Sequence, residues 1–142
     1  MIAYFDTSAF VPLVVAEPVS AIYGRLWVEA ARVVSVPILY TETRAALARA
    51  ERVGRLSPTG HASAVRQLDT MFDDVDLVDV SVELVRLGGD LAQRHALRGF
   101  DAVHLAGGVL TGLDDDDFVF ASGDHRLAAA ASAAGLAVST IP

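Results

Sequence analysis

The chain has no cysteine and no lysine. Without cysteine there is no disulfide framework, no thiolate metal site and no thiol nucleophile. Their absence fits a reducing compartment. Without lysine, P-loop phosphate binding, Schiff-base chemistry and a lysine general base all fall away; every one of the eleven basic residues is arginine. Long apolar runs are missing too, since none approaches the roughly 18 residues of a membrane span. The sequence turns strand-like at Ile2 with no basic leader before it, so neither a secretory signal nor a membrane partner is expected, and a cytoplasmic location is. Positive charge is scarce, with 11 basic residues against 18 acidic and a net charge of −7. A surface this acidic repels nucleic acid on average, and any role on nucleic acid has to account for that.

What the chain has in quantity is apolar side chain: 53% of residues are hydrophobic and the mean hydropathy is +0.43. Its 142 residues are read as one domain, 1–142. Such a chain buries roughly 68–70% of its extended surface and builds a core without staples. The apolar surplus suits a subunit interface. Short β-rich runs alternate with longer helical ones. Strands are expected at 2–5, 33–36, 76–80, 118–121 and 137–141. Helices are expected at 8–15, 18–31, 37–53, from Ser57 or Pro58 to about Asp73, and at 82–96, 100–110 and 125–134. Pro18 suits a first helical turn, while Gly54 and Gly135 stop the helices before them. Strands separated by one or two helices need crossover connections. The expected fold is therefore α/β, with helices on both faces of a mainly parallel sheet of about five strands.

Polar residues just after the strands carry the chemistry. Asp6 follows the first strand in "YFDTSAF", and Asp124 follows the fourth in "FASGDHRL". Glu42 sits in the second turn of the helix after strand two, and Asp101 opens the helix after Gly99. Each has an ordinary reading: Asp6, Asp101 and Asp124 as caps or first-turn acids, Glu42 as a solvated helix face. A parallel sheet changes the question, because its carboxyl edge gathers segments far apart in sequence. Two carboxylates about 5 Å apart repel by roughly 3 kcal/mol at an effective dielectric near 20. Four of them together call for cations, and magnesium, an oxygen-seeking ion that keeps its waters, suits them.

Four segments, "YFDTSAFV", "LYTETRAAL", "RGFDAVHLA" and "ASGDHRLAAAASAAGL", resemble in order the acidic blocks of PIN-domain ribonucleases, most closely the VapC toxins of toxin–antitoxin pairs. The resemblance covers essentially the whole chain. It implies a PIN-like three-layer α/β/α sandwich and a Mg²⁺-dependent endoribonuclease, with Mn²⁺ able to substitute. Asp6, Glu42, Asp101 and Asp124 would be both the catalytic acids and the metal ligands, with Asp6 and Asp101 the firmest. Ser8 and Ser122 would position metal or water. Many relatives carry Thr or Ser directly before the fourth acid, whereas here Gly123 stands between Ser122 and Asp124. The resemblance further implies hydrolysis of phosphodiesters in structured RNA such as tRNA or rRNA, pairing as homodimers and neutralisation by a VapB-type antitoxin. It also gives the acidic charge a partial account, since the four acids make up more than half of the net negative charge.

Arginine is expected to supply phosphate recognition, its fork matching phosphate geometry, although each arginine also has an ordinary reading as a solvated helix face. Arg49 lies two helical turns beyond Glu42, and Arg98 lies just before Asp101, making these two the candidate substrate contacts. His104, three residues after Asp101 on an apolar helix, reads as a packed core histidine. His125 reads as a surface residue, "DDDD" at 114–117 as a solvated loop, and Tyr23 and Trp27 as core or interface. The alternative function is a PIN-fold module that binds RNA or protein without cutting, which the loss of an acid would favour; all four are present. An aspartate-nucleophile phosphatase needs a second acid two residues after the first, where this chain has Ser8, and a lysine.

Overall fold

The structure, a computed structural model, describes residues 1–139. Four strands, β1 (Ile2–Phe5), β2 (Arg32–Ser35), β3 (Val75–Leu77) and β4 (Phe118–Ala121), form one parallel sheet in the order β3-β2-β1-β4. Seven helices among the described residues connect and cover it: α1 (Thr7–Val14), α2 (Ser20–Glu29), α3 (Ile38–Arg52), α4 (Pro58–Phe72), α5 (Val82–His95), α6 (Gly99–Gly112) and α7 (His125–Ala133).

The period-two alternation of β1 divides the core. Tyr4 joins Val34, Leu84, Leu105, Phe120 and Leu127 on the face covered by α5, α6 and α7. Ala3 and Phe5 join Phe10, Tyr23, Val33, Leu47 and Leu68 on the face covered by α1 to α4. The result is the three-layer α/β/α sandwich expected of the sequence. Trp27 packs edge-on against Phe5 and Phe10, as its core reading requires.

Three strands differ from expectation. The second, expected at 33–36, is set one residue early at Arg32–Ser35. The third begins one residue early and leaves the ladder after Leu77. Its apolar alternation continues because Val78 and Val80 pack on the sheet-side core without pairing as a strand. The fifth is a single parallel bridge among the described residues, Val138 to Phe120, held by Phe120 N–H to the Ala137 carbonyl (2.8 Å) and Ser139 N–H to the Phe120 carbonyl (3.0 Å). The remainder of that expected strand, residues 140–141, lies outside the described residues.

The chain moves outward from β1 to β2 and β3, then returns to β4 on the other side of β1. The carboxyl ends of β1 and β4 therefore flank a topological switch point, where open α/β sheets bind their ligands. Helix α6 lies unusually close to this part of the sheet. A methyl at Gly107 would stand 2.8 Å from the Tyr4 hydroxyl, and one at Gly108 would stand 2.6 Å from the Phe120 ring.

Candidate active site

Asp6 leaves β1 at the switch point and serves as the N-cap of α1. Its side chain is 3% exposed and accepts hydrogen bonds from three donors. Ala9 N–H reaches Oδ1 at 2.9 Å, the Ser8 hydroxyl reaches Oδ1 at 2.7 Å, and the Ser122 hydroxyl reaches Oδ2 at 2.6 Å. The capping and site readings of Asp6 are thus the same geometry. Burial pushes its carboxyl above the ordinary value, against the pull of these hydrogen bonds.

Ser122 arrives from the end of β4. Gly123 does not displace it: the Gly123 N–H donates to Ser8 Oγ (2.8 Å), and the Ser122 hydroxyl faces Asp6. Asp124 follows as the N-cap of α7, accepting from the N–H groups of Arg126 and Leu127.

Glu42 comes from α3. The Thr7 hydroxyl donates to its Oε1 at 2.7 Å, and His104 Nε2 lies 2.6 Å from the same oxygen. His104 is buried and its Nδ1 lies 3.1 Å from the Tyr4 hydroxyl. One proton arrangement satisfies the chain, with Tyr4 donating to Nδ1 and Nε2–H donating to Glu42. Burial alone would raise the Glu42 carboxyl, but the hydrogen bonds from His104 and Thr7 win and hold it below its ordinary value. Asp101, in the first turn of α6, shifts the other way. Its burial raises it first, and then the charges of Asp124 and Glu42.

Asp6, Glu42, Asp101 and Asp124, from four separate segments, line one cavity of about 610 Å³ together with Ser8, Thr7 and His104. Arg49 lines it as well, as its spacing from Glu42 requires. Val11, Val15 and Val53 give the same cavity an apolar wall, and Arg55, which pairs with Glu17 at 3.2 Å, lines it too. Arg98 borders an adjoining hollow with Glu42, Phe100 and Asp101.

Among the described residues, no ion pair reaches Asp6, Asp101 or Asp124. No three acidic or histidine side chains among them converge tightly enough to make a finished metal cage. The donor set is carboxylate and hydroxyl oxygen, which suits a hard cation that retains water and does not suit a thiolate-seeking one. A buried carboxylate without a cationic partner is costly to keep charged, so the residues present fit a divalent ion.

Two further residues belong to the site that the sequence does not single out for it. His104 is packed in the core, as expected, but its ring spans Tyr4 and Glu42 and lines the cavity. Its place one turn after Asp101 on the same helix face is the available signal. Thr7 stands between Asp6 and Ser8, and in sequence it looks like part of a turn. Its partner Glu42 lies 35 positions away, and only the parallel pairing of β1 with β2 brings them together.

This architecture and edge define a family. The chain belongs to the PIN domain family, whose model matches residues 3–133. Within it the chain is closely related to the VapC-type toxins. It is 39% identical over 137 residues to Ribonuclease VapC45 of Mycobacterium tuberculosis strain CDC 1551, covering 96% of this chain and 94% of that protein. The same figures hold for Ribonuclease VapC49 of M. tuberculosis strain H37Rv. Two solved structures share the fold. PAE2754 from Pyrobaculum aerophilum superposes with a TM-score of 0.72 at 18% identity, over 97% of this chain and 89% of that one. VapBC2 from Rickettsia felis, solved bound to a DNA fragment from its promoter, gives 0.64 at 12% identity, over 98% of each chain. Among the described residues no helix is long and apolar enough to cross a membrane.

Proposed function

We propose that the chain is a single-domain, Mg²⁺-dependent endoribonuclease, the toxin of a type II toxin–antitoxin pair, hydrolysing phosphodiesters of structured RNA. The observation that carries the reading is the gathering of four acids from four segments around one cavity, three of them without an ion-pair partner among the described residues. The 39% identity to two ribonucleases over nearly the whole chain supports it.

Asp6, Glu42, Asp101 and Asp124 would hold the ions. A Mg²⁺ ion held there would supply activation of a water and charge stabilisation at the leaving oxygen, and Mn²⁺ would be able to replace it. The protein's part is placement. Ser8, Ser122 and the Ala9 amide fix Asp6 in one orientation. Thr7 and His104 fix Glu42 and keep it ionised. Arg49 and Arg98 stand at the rim where phosphates approach, and neutralising the four acids would lessen the repulsion that the net charge of −7 imposes. The apolar wall of Val11, Val15 and Val53 suits a peptide segment of an antitoxin, its apolar side chains on the valines and a basic one among the acids. The 53% hydrophobic composition leaves room for a homodimer interface.

The test is incubation of antitoxin-free protein with total cellular RNA in Mg²⁺ and in excess EDTA. Discrete fragments that require metal are expected. Folded protein that binds RNA but cuts nothing in Mg²⁺ or Mn²⁺ would instead make it a binding module.

A second prediction separates placement from chemistry. Thr7→Val and His104→Ala each remove one hydrogen bond to Glu42, and loss of such outer support around a metal site costs about 10- to 100-fold in activity or metal affinity. His104→Gln, whose amide N–H₂ can stand where Nε2–H stood, is expected to recover part of that loss. Cleavage rates for the three variants that match the wild type would remove His104 and Thr7 from the site.

A further inference from the structure

Nine of the ten aromatic side chains are buried or partly covered; the tenth, Phe100, is 63% exposed. It stands in the first turn of α6, beside Asp101, in the hollow bordered by Arg98 and Glu42. We infer that Phe100 is a stacking platform for an unpaired nucleobase next to the phosphate that is cut, with Arg98 holding the adjoining phosphate. The inference rests on the ribonuclease reading above and names the part of the substrate that the site grips.

Three observations carry it. Packing does not explain the side chain, because Ala102, Leu105 and Ala106 of the same helix fill the core while Phe100 faces water. Local helix rules do not explain it either. The start of α6 has arginine at its cap with no capping hydrogen bond, then glycine, then phenylalanine, where a short oxygen-bearing residue would stabilise the helix. Departures from local preference gather at working surfaces. Finally, the surroundings fit a nucleotide. The ring divides two hollows, an apolar one against Val85, Ala92 and Val103 and a charged one bordered by Arg98, Glu42 and Asp101, and it is the charged one that adjoins the site acids and that an apolar partner side chain would not suit. A nucleotide brings a flat ring for the phenyl and a phosphate for the guanidinium, the combination by which unpaired RNA is held. A base inside a duplex has no free face to offer, so cleavage is directed to loops and other unpaired positions.

The test uses the full chain with two fluorescein-labelled RNAs of equal length, a uridine-rich single strand and a perfect hairpin stem. Binding is measured in Ca²⁺, a hard cation that takes the same oxygen ligands, and cleavage in Mg²⁺, both on the otherwise native chain. Phe100→Leu keeps apolar bulk and loses the aromatic face. It is expected to weaken single-strand binding about tenfold and to raise KM similarly, with little change on the stem. Phe100→Trp is expected to restore both. Its tryptophan fluorescence should be quenched by the single strand, with the native chain, whose sole tryptophan is Trp27, as the blank. Native cleavage with Phe100→Leu equal to native in KM and binding would overturn the platform and leave the ribonuclease standing. A Phe100→Leu change that weakens homodimer or antitoxin association but not RNA binding would assign the side chain to a protein interface instead. Native protein that neither binds nor cuts either RNA would overturn both readings.

Discussion

Asp6→Asn is expected to lower RNA cleavage by on the order of 10³-fold while leaving the fold as stable as before or more so. The two halves of this result have one cause. Asp6 is buried, no cation pairs with it among the described residues, and its raised carboxyl reports the cost of charging it there. Asparagine keeps an acceptor for the Ala9 N–H, and the hydroxyls of Ser8 and Ser122 can turn to accept from its amide. What disappears is the charge, which the metal needs and the fold does not. Mg²⁺ is therefore expected to raise the melting temperature of the native protein, by binding the folded state alone, and to do little for Asp6→Asn.

The pH dependence follows in metal-free buffer. A carboxyl whose folded pKa is raised lets the folded state hold a proton that the unfolded chain has already released. Stability is then lost as pH rises from the ordinary value of 3.8 through the raised folded value, and the penalty is constant above it. Asparagine carries no such penalty. The stability advantage of Asp6→Asn over the native protein should widen between pH 3.5 and pH 7 in EDTA, read as a growing gap between their melting temperatures. Asp101 shifts the same way and Glu42 the opposite way, but both titrate in both proteins, so the difference isolates Asp6. A native protein that gains on Asp6→Asn across that range would contradict the account of Asp6 as an uncompensated buried charge.

How much of this is legible in the sequence depends on the range of the signal. Local apolar periodicity announces every helix to within a few residues of its bounds, because caps such as Ser57 and Ser81 act on their own turn. The acids at β1 and β4 are legible for the same reason, since an acid just past a parallel strand lies at the ligand-binding edge whatever surrounds it. Strand three is shorter than its pattern suggests, because Val78 and Val80 are apolar for packing and not for pairing. His104 leaves only its place one turn after Asp101, and Thr7 leaves no trace, because the partner of each is 62 and 35 positions away. Hydrogen bonds across that distance are set by tertiary packing, and no spacing rule within one helix reveals them.

The glycines of α6 are equally silent in the sequence, and they carry the second large prediction. Glycine inside a helix costs about 1 kcal/mol relative to alanine, so Gly→Ala in a helix ordinarily stabilises. At Gly89 in α5 an added methyl would have nothing within 4 Å, and Gly89→Ala should follow that rule. In α6 the sign is expected to invert. A methyl at Gly112 would meet the Phe118 ring at 2.3 Å, and one at Gly108 would meet the Phe120 ring at 2.6 Å. These rings are buried, so either the helix lifts or the sheet yields, and overpacking of this kind costs about 1–3 kcal/mol. Chemical denaturation should show Gly112→Ala and Gly108→Ala destabilised, with Gly89→Ala the stabilised control. Gly107→Ala is expected to differ in kind. Its methyl would lie 2.8 Å from the Tyr4 hydroxyl and 3.0 Å from Val36, and Tyr4 begins the hydrogen-bonded chain through His104 to Glu42. Shifting that hydroxyl moves the support of a site acid, so Gly107→Ala should lose more cleavage than its loss of stability explains. If all three α6 variants lost stability and activity in the same proportion, the glycines would be spacers only. If Gly107→Ala stands apart, the close approach of α6 to the sheet is part of what places Glu42.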